Sequence, residues 1–265
     1  MDNDRTLVFA AVSGSPGAEG FVAQLCNELT RALARPIISK LVPSYPALEH
    51  EVLTGHAHIV WAPPLVAIHL EDAGLVTIEL CSARGGQLDY HAALFTRHAS
   101  RIAKPADLKG CHVAWVDKAS SAGYLVPRLK LASLGLNPDA LFGRESFLKT
   151  HEQVCCAVLA GEADAGATYL SIDPKSSQPV SAGWLEAGAG INGAFIIDIA
   201  GPIPSDAIVM SNRVHPDLKA RLAVELRKLP ESVPDAIFGL LRADGFAPPK
   251  SAHFEALRRL VLSRQ

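Results

Sequence analysis

Three observations in the sequence predict an α/β fold with two similar lobes and largely parallel sheets. Short apolar runs alternate with segments of helical periodicity, which is typical of strands joined by crossover helices. With 265 residues, 49% of them hydrophobic and 20% charged, the chain is large enough for one big domain or two lobes. Finally, a helix that closes on glycine and turns into a strand occurs once in each half, at 52–58 (VLTGHAH) and 158–164 (VLAGEAD).

The alternation predicts the following elements in chain order. Strands are expected from Leu7 to Val12, Ala57 to Trp61, Leu75 to Leu80, His91 to Thr96 and Cys111 to Val116. Helices are expected from Phe21 to Leu33, from Leu48 to Leu53, and in the tail from Pro216 to Gln265. Gly55, which follows the second helix, supplies the left-handed conformation that ends many helices.

A further helix is predicted after the strand that ends at Val116. If Gly123 caps this helix, Pro127 falls at its fourth position, where a missing N–H group costs nothing. Leu125, Leu129 and Ala132 then share the buried face.

The start of this helix is the first candidate binding site, because it follows the carboxyl end of a strand. Open α/β sheets bind their ligands at such ends, and a helix start presents free N–H groups to an anion. The hydroxyls of Ser120 and Ser121 and the N–H groups of Ala122 and Gly123 are the candidate donors. The alternative is a loop that only caps its helix.

His151 is the second candidate. Thr150 and Gln153 have the spacing of a capping box, which places His151 in the first turn of a helix. A histidine there can donate a hydrogen bond to an anion, and the helix polarity makes its imidazole less basic. The alternative is a surface histidine that follows an ordinary cap.

Charge and hydropathy exclude several classes of partner. The net charge is −2 and no stretch gathers many like charges, so neither a nucleic acid nor an acidic membrane is an expected partner. No apolar segment approaches the roughly 18 residues of a membrane span. The acidic start of the sequence does not have the pattern of a secretory signal, which predicts a cytoplasmic protein. If a leader precedes this sequence, the expectation becomes a periplasmic protein or a lipoprotein.

The cysteines and the loops indicate no cofactor and no metal. The five cysteines are odd in number and lack CxxC spacing, which argues against a disulfide framework and a zinc site and favours buried free thiols. The sequence has no nucleophile motif, no metal-ligand spacing and no cofactor-binding loop.

Several motifs, taken in order, carry a family resemblance. They are KPADLKG (104–110), VAWVD (113–117), SSAGYLVP (120–127), TH (150–151) and VLAGEADAGA (158–167). In this order they resemble the substrate-binding proteins of phosphonate, phosphite and phosphate ABC transporters. The resemblance extends more weakly to Tyr45, the Trp61 segment, Tyr90 and the turn at 203–206, and so covers roughly residues 45 to 215.

The resemblance implies a two-lobe type II periplasmic-binding-protein fold with a ligand cleft between the lobes. The lobes are expected at 1–93 plus 203–265 and at 94–202. The implied ligand is a small phosphonate- or phosphate-like oxyanion, and the implied partner is an ABC permease. The expected ligand-binding residues are Ser120, Ser121, Ala122, Gly123, His151, Tyr90, Tyr45, Trp61, Thr168, Tyr169 and Asp206. Trp61 is equally well explained as a core tryptophan before a rigid turn.

The sequence departs from the family pattern at two positions. Ala122 stands where the family's loop usually has a third hydroxyl, and Ala92 stands where a serine usually follows the tyrosine by two residues. These departures keep two alternatives open beside the transport protein. One is a cytoplasmic biosynthetic enzyme on the same fold, and the other is a cytoplasmic ligand-sensing or partner-binding domain.

Overall fold

The computed structural model describes residues 6–12, 17–173 and 175–262. Its contacts divide the chain into two compact units, Met1–Leu88 with Pro204–Gln265 and Asp89–Ile203. The chain therefore passes from the first unit to the second at Leu88 and returns at Pro204. The lobe boundaries expected from the sequence, 93/94 and 202/203, stay a prediction.

The helices and strands alternate along much of the chain. The strands are β1 (Leu7–Val12), β2 (Ile37–Val42), β3 (Ile59–Ala62), β4 (Val76–Ala83), β5 (Asp89–Thr96), β6 (His112–Trp115), β7 (Arg144–Phe147), β8 (Ala165–Ile172), β9 (Pro179–Ala182), β10 (Phe195–Pro204), β11 (Ala207–Ser211) and β12 (Gly245–Ala247). The α-helices are α1 (Ala18–Leu33), α2 (Tyr45–Leu53), α3 (Pro64–Asp72), α4 (Val126–Ser133), α5 (Pro138–Leu141), α6 (His151–Ala160), α7 (Gly183–Glu186), α8 (Pro216–Ser232), α9 (Pro234–Leu241) and α10 (Glu255–Leu262). A 3-10 turn spans Pro105–Leu108, and a π-helical turn, Ser121–Leu125, precedes α4.

The sheet of the first unit has the strand order β12-β4-β11-β3-β1-β2. Strand β1 pairs parallel with both β2 and β3, whereas β11 pairs antiparallel with β3 and β4. One apolar core, which includes Phe9, Leu25, Ile59 and Leu222, packs the sheet against α1, α8 and α9. Helices α1 and α8 contribute their buried sides to this core, as amphipathic helices do.

The sheet of the second unit repeats this topology. Its order is β10-β5-β8-β6-β7, with β6 parallel to β7 and β8, and β5 antiparallel to β8. Successive residues of β5 belong to different cores, since Phe95 packs with Trp184 and Leu94 packs with Trp115. This alternation shows that both faces of the strand are covered.

The prediction of largely parallel sheets is wrong, because each sheet is mixed. The parallel neighbours β1, β2 and β3, like β6, β7 and β8, follow one another through helices, and a crossover is what parallel pairing requires. Strands β5 and β11 reach their sheets from another part of the chain without such a helix and pair antiparallel with β8 and β3.

The internal repeat noticed in the sequence has the same structure twice. Gly55 after α2 and Gly161 after α6 have φ angles of 77° and 81°, the left-handed region that glycine favours. An arginine packs on each glycine: an added Cβ would lie 1.4 Å from Arg213 Nη1 at Gly55 and 2.5 Å from Arg97 Nη1 at Gly161. Both glycines are therefore required by backbone conformation, whereas the arginine side chains beside them could move aside.

The described residues test two further expectations, the absence of a membrane-spanning helix and the burial of the cysteines. In this part of the chain, no helix is both long enough and apolar enough to span a bilayer. The prediction that the cysteines are buried is wrong for Cys156, which is exposed, and for Cys111, which is half-buried. Cys156 lies on the side of α6 that faces away from the core formed by Val154, Cys155 and Val158.

Candidate functional site

Two helices of the second unit begin side by side at the carboxyl edge of its parallel strands. Trp115 at the end of β6 pairs with Phe147 at the end of β7. The π-helical turn follows β6 and α6 follows β7. Beyond the paired strands, the backbone N–H of Lys149 donates to the carbonyl of Val116 at 2.9 Å, so the two connecting loops remain in contact.

The first of these helices does not begin where the sequence predicts. Its N-cap is Ser120, and the predicted cap at Gly123 is wrong. The Oγ of Ser120 accepts a hydrogen bond from the N–H of Gly123 at 3.0 Å. The N–H of Leu125 donates to the carbonyl of Ser120 at 3.0 Å, which is the wider spacing of a π-helical turn.

The earlier start also changes which face of α4 is buried. Val126 and Leu131 are buried, whereas Leu129 is only half-buried and Ala132 is exposed, so the predicted face of Leu125, Leu129 and Ala132 is wrong. A π-helical turn holds one more residue than an α-helical turn, and this extra residue rotates all the following side chains.

Ser121 is the residue at this helix start that has an unused polar group. It is 4% exposed, and its Oγ is buried without a hydrogen-bond partner. An unpaired buried hydroxyl is unfavourable, and such groups occur where a ligand supplies the missing partner. The first N–H groups of a helix have no partner within the helix, and those of Ser121 and Ala122 lie beside the Ser121 hydroxyl, whereas the N–H of Gly123 is donated to Ser120 Oγ.

Gly123 allows the loop to close this tightly. A Cβ at this position would lie 2.4 Å from Val116 Cγ2 and 2.8 Å from Ser120 Oγ. The φ angle of Gly123 is not in the left-handed region, so other residues are excluded from this position only by the lack of space for a side chain. Ala122, where a third hydroxyl was expected from the family pattern, is 2% exposed.

His151 is the first residue of α6, as the sequence predicts. The cap is Thr150, whose Oγ1 accepts from the N–H of Gln153 at 3.1 Å. The Nδ1 of His151 lies 3.0 Å from Thr168 Oγ1, and the imidazole meets the ring of Tyr169 edge-on with centroids 5.3 Å apart. Burial among these groups lowers the pKa of His151 to about 4, so the imidazole is neutral at physiological pH.

Strands β5 and β8 bring the other candidates of the second unit close to these residues. Ala92 pairs with Tyr169, and Tyr90 lies two residues earlier on the same side of β5. The hydroxyl of Tyr169 donates to Glu186 Oε1 at 3.1 Å. Thr168 is fully buried, with its hydroxyl directed to His151.

The remaining candidates, Tyr45, Trp61 and Asp206, lie in the first unit. Tyr45 is the first residue of α2, the helix that corresponds to α6 in the repeated topology. The indole Nε1 of Trp61 donates to Ser82 Oγ at 3.4 Å. The carboxylate of Asp206 accepts from Arg84 Nη2 at 2.6 Å.

Arg84 is a residue that sequence reasoning missed. Its guanidinium also donates to the backbone carbonyls of Leu241 and Arg242, at 3.1 and 2.8 Å, and so ties Asp206 to the end of α9. Arg84 and Asp206 are 122 residues apart, and no local sequence signal connects them.

One surface cavity of about 540 Å³ lies in the second unit, and neither Ser120 nor Ser121 lines it. It is lined by Phe147, Leu148, Lys149, Gln153, Cys156, Ala157, Ala160 and Glu162. These residues include none of the eleven candidates. Among the described residues, no group of three histidine, cysteine, aspartate or glutamate side chains is placed to hold a metal ion.

Two sheets of like topology, each with parallel strands joined by helices, define a protein of the periplasmic-binding-protein class. Within that class, the family model for the periplasmic substrate-binding proteins of phosphonate ABC transporters matches residues 18–254. The chain belongs to this family, and the resemblance read from its motifs is confirmed.

Solved structures share the fold. A binding-protein component of an ABC phosphonate transporter from Pseudomonas aeruginosa is 18% identical, with a TM-score of 0.78 over 99% of this chain and 87% of that one. PhnD1 from Prochlorococcus marinus in complex with methylphosphonate is 15% identical, with a TM-score of 0.74 over 98% of each chain. XAC2383 from Xanthomonas citri bound to ATP is 20% identical, with a TM-score of 0.76 over 97% of each chain. The predicted two-lobe binding-protein fold is thereby confirmed.

Proposed function

We propose that the protein captures a phosphonate- or phosphate-like oxyanion through an anion seat formed by Ser120, Ser121, Ala122, Gly123 and His151. The observation that carries this proposal is the buried, unpartnered Oγ of Ser121 at the start of a helix. A bound oxyanion supplies the acceptor that this hydroxyl lacks. The helix start adds N–H donors and a favourable electrostatic potential for negative charge.

The donors of the seat are neutral groups. The Ser121 hydroxyl, the N–H groups of Ser121 and Ala122 and the neutral imidazole of His151 can each donate one hydrogen bond, whereas the N–H of Gly123 is already donated to Ser120 Oγ. Several fixed donors suit an anion with several acceptor oxygens, such as a phosphonate, better than one with two, such as a carboxylate. The alanines at positions 92 and 122 remove two hydroxyls from the family pattern, and each lost charge-assisted bond weakens binding by about tenfold.

The other expected ligand contacts remain part of the proposal. The edge-on contact of Tyr169 with His151 supports the assignment of Tyr169, and the pairing of β5, the strand of Tyr90, with β8 supports that of Tyr90. In the first unit we retain Tyr45, Trp61 and Asp206, the last with its carboxylate held by Arg84.

Family membership supports a transport role. We propose that the protein works in the periplasm and passes its ligand to an ABC permease, as the substrate-binding component of the transporter. The cytoplasmic location expected from the start of the sequence is not supported by the family. Family membership does not favour the two alternatives, a biosynthetic enzyme and a cytoplasmic sensing or partner-binding domain.

Calorimetric titration of the full chain with methylphosphonate, phosphite, phosphate, a phosphomonoester, methanesulfonate and acetate tests the proposal. We expect a phosphonate or phosphate to bind most tightly and Ser121→Ala to weaken its binding by at least about tenfold. Ser133→Ala is the matched control, because this exposed serine of α4 donates only to the carbonyl of Lys130. Binding of none of these anions, or equal weakening by both variants, contradicts the proposal.

A further inference from the structure

Thr168 lies behind His151 in the interior of the second unit. It is 0% exposed and pairs across the sheet with Ala93. Gly183, at the start of α7, packs directly on its hydroxyl, since a Cβ added there would lie 1.9 Å from Thr168 Oγ1. The hydroxyl is therefore enclosed by protein and has no surface to offer to a solute.

Two side chains of α6 contact this enclosed hydroxyl. His151 Nδ1 lies 3.0 Å from Oγ1, and the thiol of Cys155 is close enough for this hydroxyl to oppose the rise of its pKa. Burial raises the pKa of Cys155 to about 12, so Cys155 is a neutral thiol with one S–H to donate.

The strength of the available acceptors sets the direction of the bond to His151. A threonine hydroxyl has one hydrogen to donate and can accept two hydrogen bonds. The thiol sulfur is a weak acceptor, whereas the imidazole Nδ1 is a good one and lies within hydrogen-bond distance, so the Thr168 hydrogen goes to His151 Nδ1, which accepts. A neutral imidazole that accepts at Nδ1 carries its own hydrogen at Nε2.

We propose that Thr168 is a positioning residue, which holds His151 in the tautomer with its hydrogen at Nε2 so that the ring donates to the bound oxyanion. This inference rests on the proposed function, because the anion is the acceptor. It differs from the role that the resemblance implied for Thr168, which was to contact the ligand itself. The opposite tautomer presents the lone pair of Nε2 to the anion and repels it.

The groups that face His151 agree with this direction. Tyr169, on β8, presents its ring to the imidazole, while its hydroxyl donates to Glu186 on α7. Cys155, on α6 itself, is neutral. The acidic Glu186 is thus engaged by Tyr169.

Nitrogen NMR of the imidazoles in the full chain tests the tautomer without any ligand. The chain has ten histidines, and comparison with His151→Gln assigns the His151 signals. We expect a protonated Nε2 and an unprotonated Nδ1 in the wild type and in Thr168→Ser, which keeps the hydroxyl. Thr168→Val, which lacks it, is expected to give a mixture of tautomers. A wild-type His151 with its hydrogen at Nδ1 overturns the inference even if no variant folds.

Titration with methylphosphonate supplies the second readout. Thr168→Val is expected to weaken binding by about tenfold, the size of one hydrogen bond to a charged group, and Thr168→Ser to restore it. In the His151→Gln background, Thr168→Val is expected to have no further effect on the dissociation constant. An equal effect in both backgrounds means that Thr168 does not act through His151. If the wild type binds no oxyanion, the proposed function fails, whereas the NMR result still decides the tautomer.

Discussion

The Oγ of Ser120 accepts a hydrogen bond from the N–H of Gly123 at 3.0 Å, and this bond caps the π-helical turn that precedes α4. Gly123 fits here because it has no side chain: a Cβ would lie against Val116 and Ser120. The cap and the glycine are therefore one structural unit, which leaves Ser121 as the serine available to a ligand.

Gly123→Ala is expected to destabilise the protein by about 1 to 3 kcal/mol, because the new methyl group overpacks the turn. The added Cβ would lie 2.4 Å from Val116 Cγ2. Gly20→Ala is the matched control, since no atom lies within 4 Å of the added Cβ on this exposed glycine of α1. There the same change is expected to stabilise the helix by up to about 1 kcal/mol. Urea unfolding measures both, and similar effects of the two variants would contradict the packing argument.

The adjacent serines of the seat are expected to respond in opposite ways to removal of the hydroxyl. Ser120→Ala removes an N-cap and should cost about 1 kcal/mol of stability. Ser121→Ala removes a buried hydroxyl that has no partner, so stability should be unchanged or higher by up to about 1 kcal/mol. Unfolding in urea without ligand compares the two. A clear loss of stability in Ser121→Ala would show that its hydroxyl is already paired within the protein.

His151 should make stability depend on pH in the acidic range. Its pKa is lowered from 6.5 to about 4 in the folded state, so the unfolded chain binds the proton more tightly. The free energy of unfolding therefore falls as the pH falls from about 6.5 to about 4, by about 2 kcal/mol for this half-buried ring, and the contribution is fully present above that range.

The measurement is urea unfolding between pH 4.5 and pH 7.5 in the wild type and in His151→Gln. The difference isolates His151, because burial also lowers the pKa of His91, which adds a slope of the same sign. We expect the wild type to lose more stability on acidification than His151→Gln does. Parallel profiles would mean that His151 titrates alike in the folded and unfolded states.

Arg128 of α4 should be important for the stability of the second unit. Its side chain is 4% exposed, forms ion pairs with Glu145 and Asp139, and stacks on Tyr124 with its guanidinium carbon 5.0 Å from the ring centroid. Arg128→Met is expected to cost about 2 kcal/mol, less than the loss of a fully buried pair because water can reach the two carboxylates.

Arg128→Lys keeps the charge but not the planar group that stacks on Tyr124, so it should restore only part of the loss. The control is Arg31→Ala, whose exposed i,i+3 ion pair with Glu28 should contribute less than about 1 kcal/mol. These values are again obtained from urea unfolding. Full recovery in Arg128→Lys would rule out the stacking contribution.

Local patterns in the sequence determined several secondary-structure elements, the repeated topology and the family of this protein. The apolar runs located strand β1 at Leu7–Val12 and the helix that follows it, and the Thr150 cap placed His151 in the first turn of α6. The glycine caps at Gly55 and Gly161 and the order of the motifs identified the repeated topology and the family. These features depend on hydrogen bonds and periodicity within a few residues, which a single stretch of chain contains.

Tertiary structure alone decided the detail of the site. The helix is capped at Ser120 and not at Gly123, because Ser120 Oγ accepts the N–H of Gly123, and Val116 after β6 leaves no room for a side chain at 123. The contact of Thr168 with His151 and the pairing of Asp206 with Arg84 join residues 17 and 122 positions apart. Such contacts arise only when strands from distant parts of the chain enter one sheet, and neither spacing nor propensity records which of them will meet.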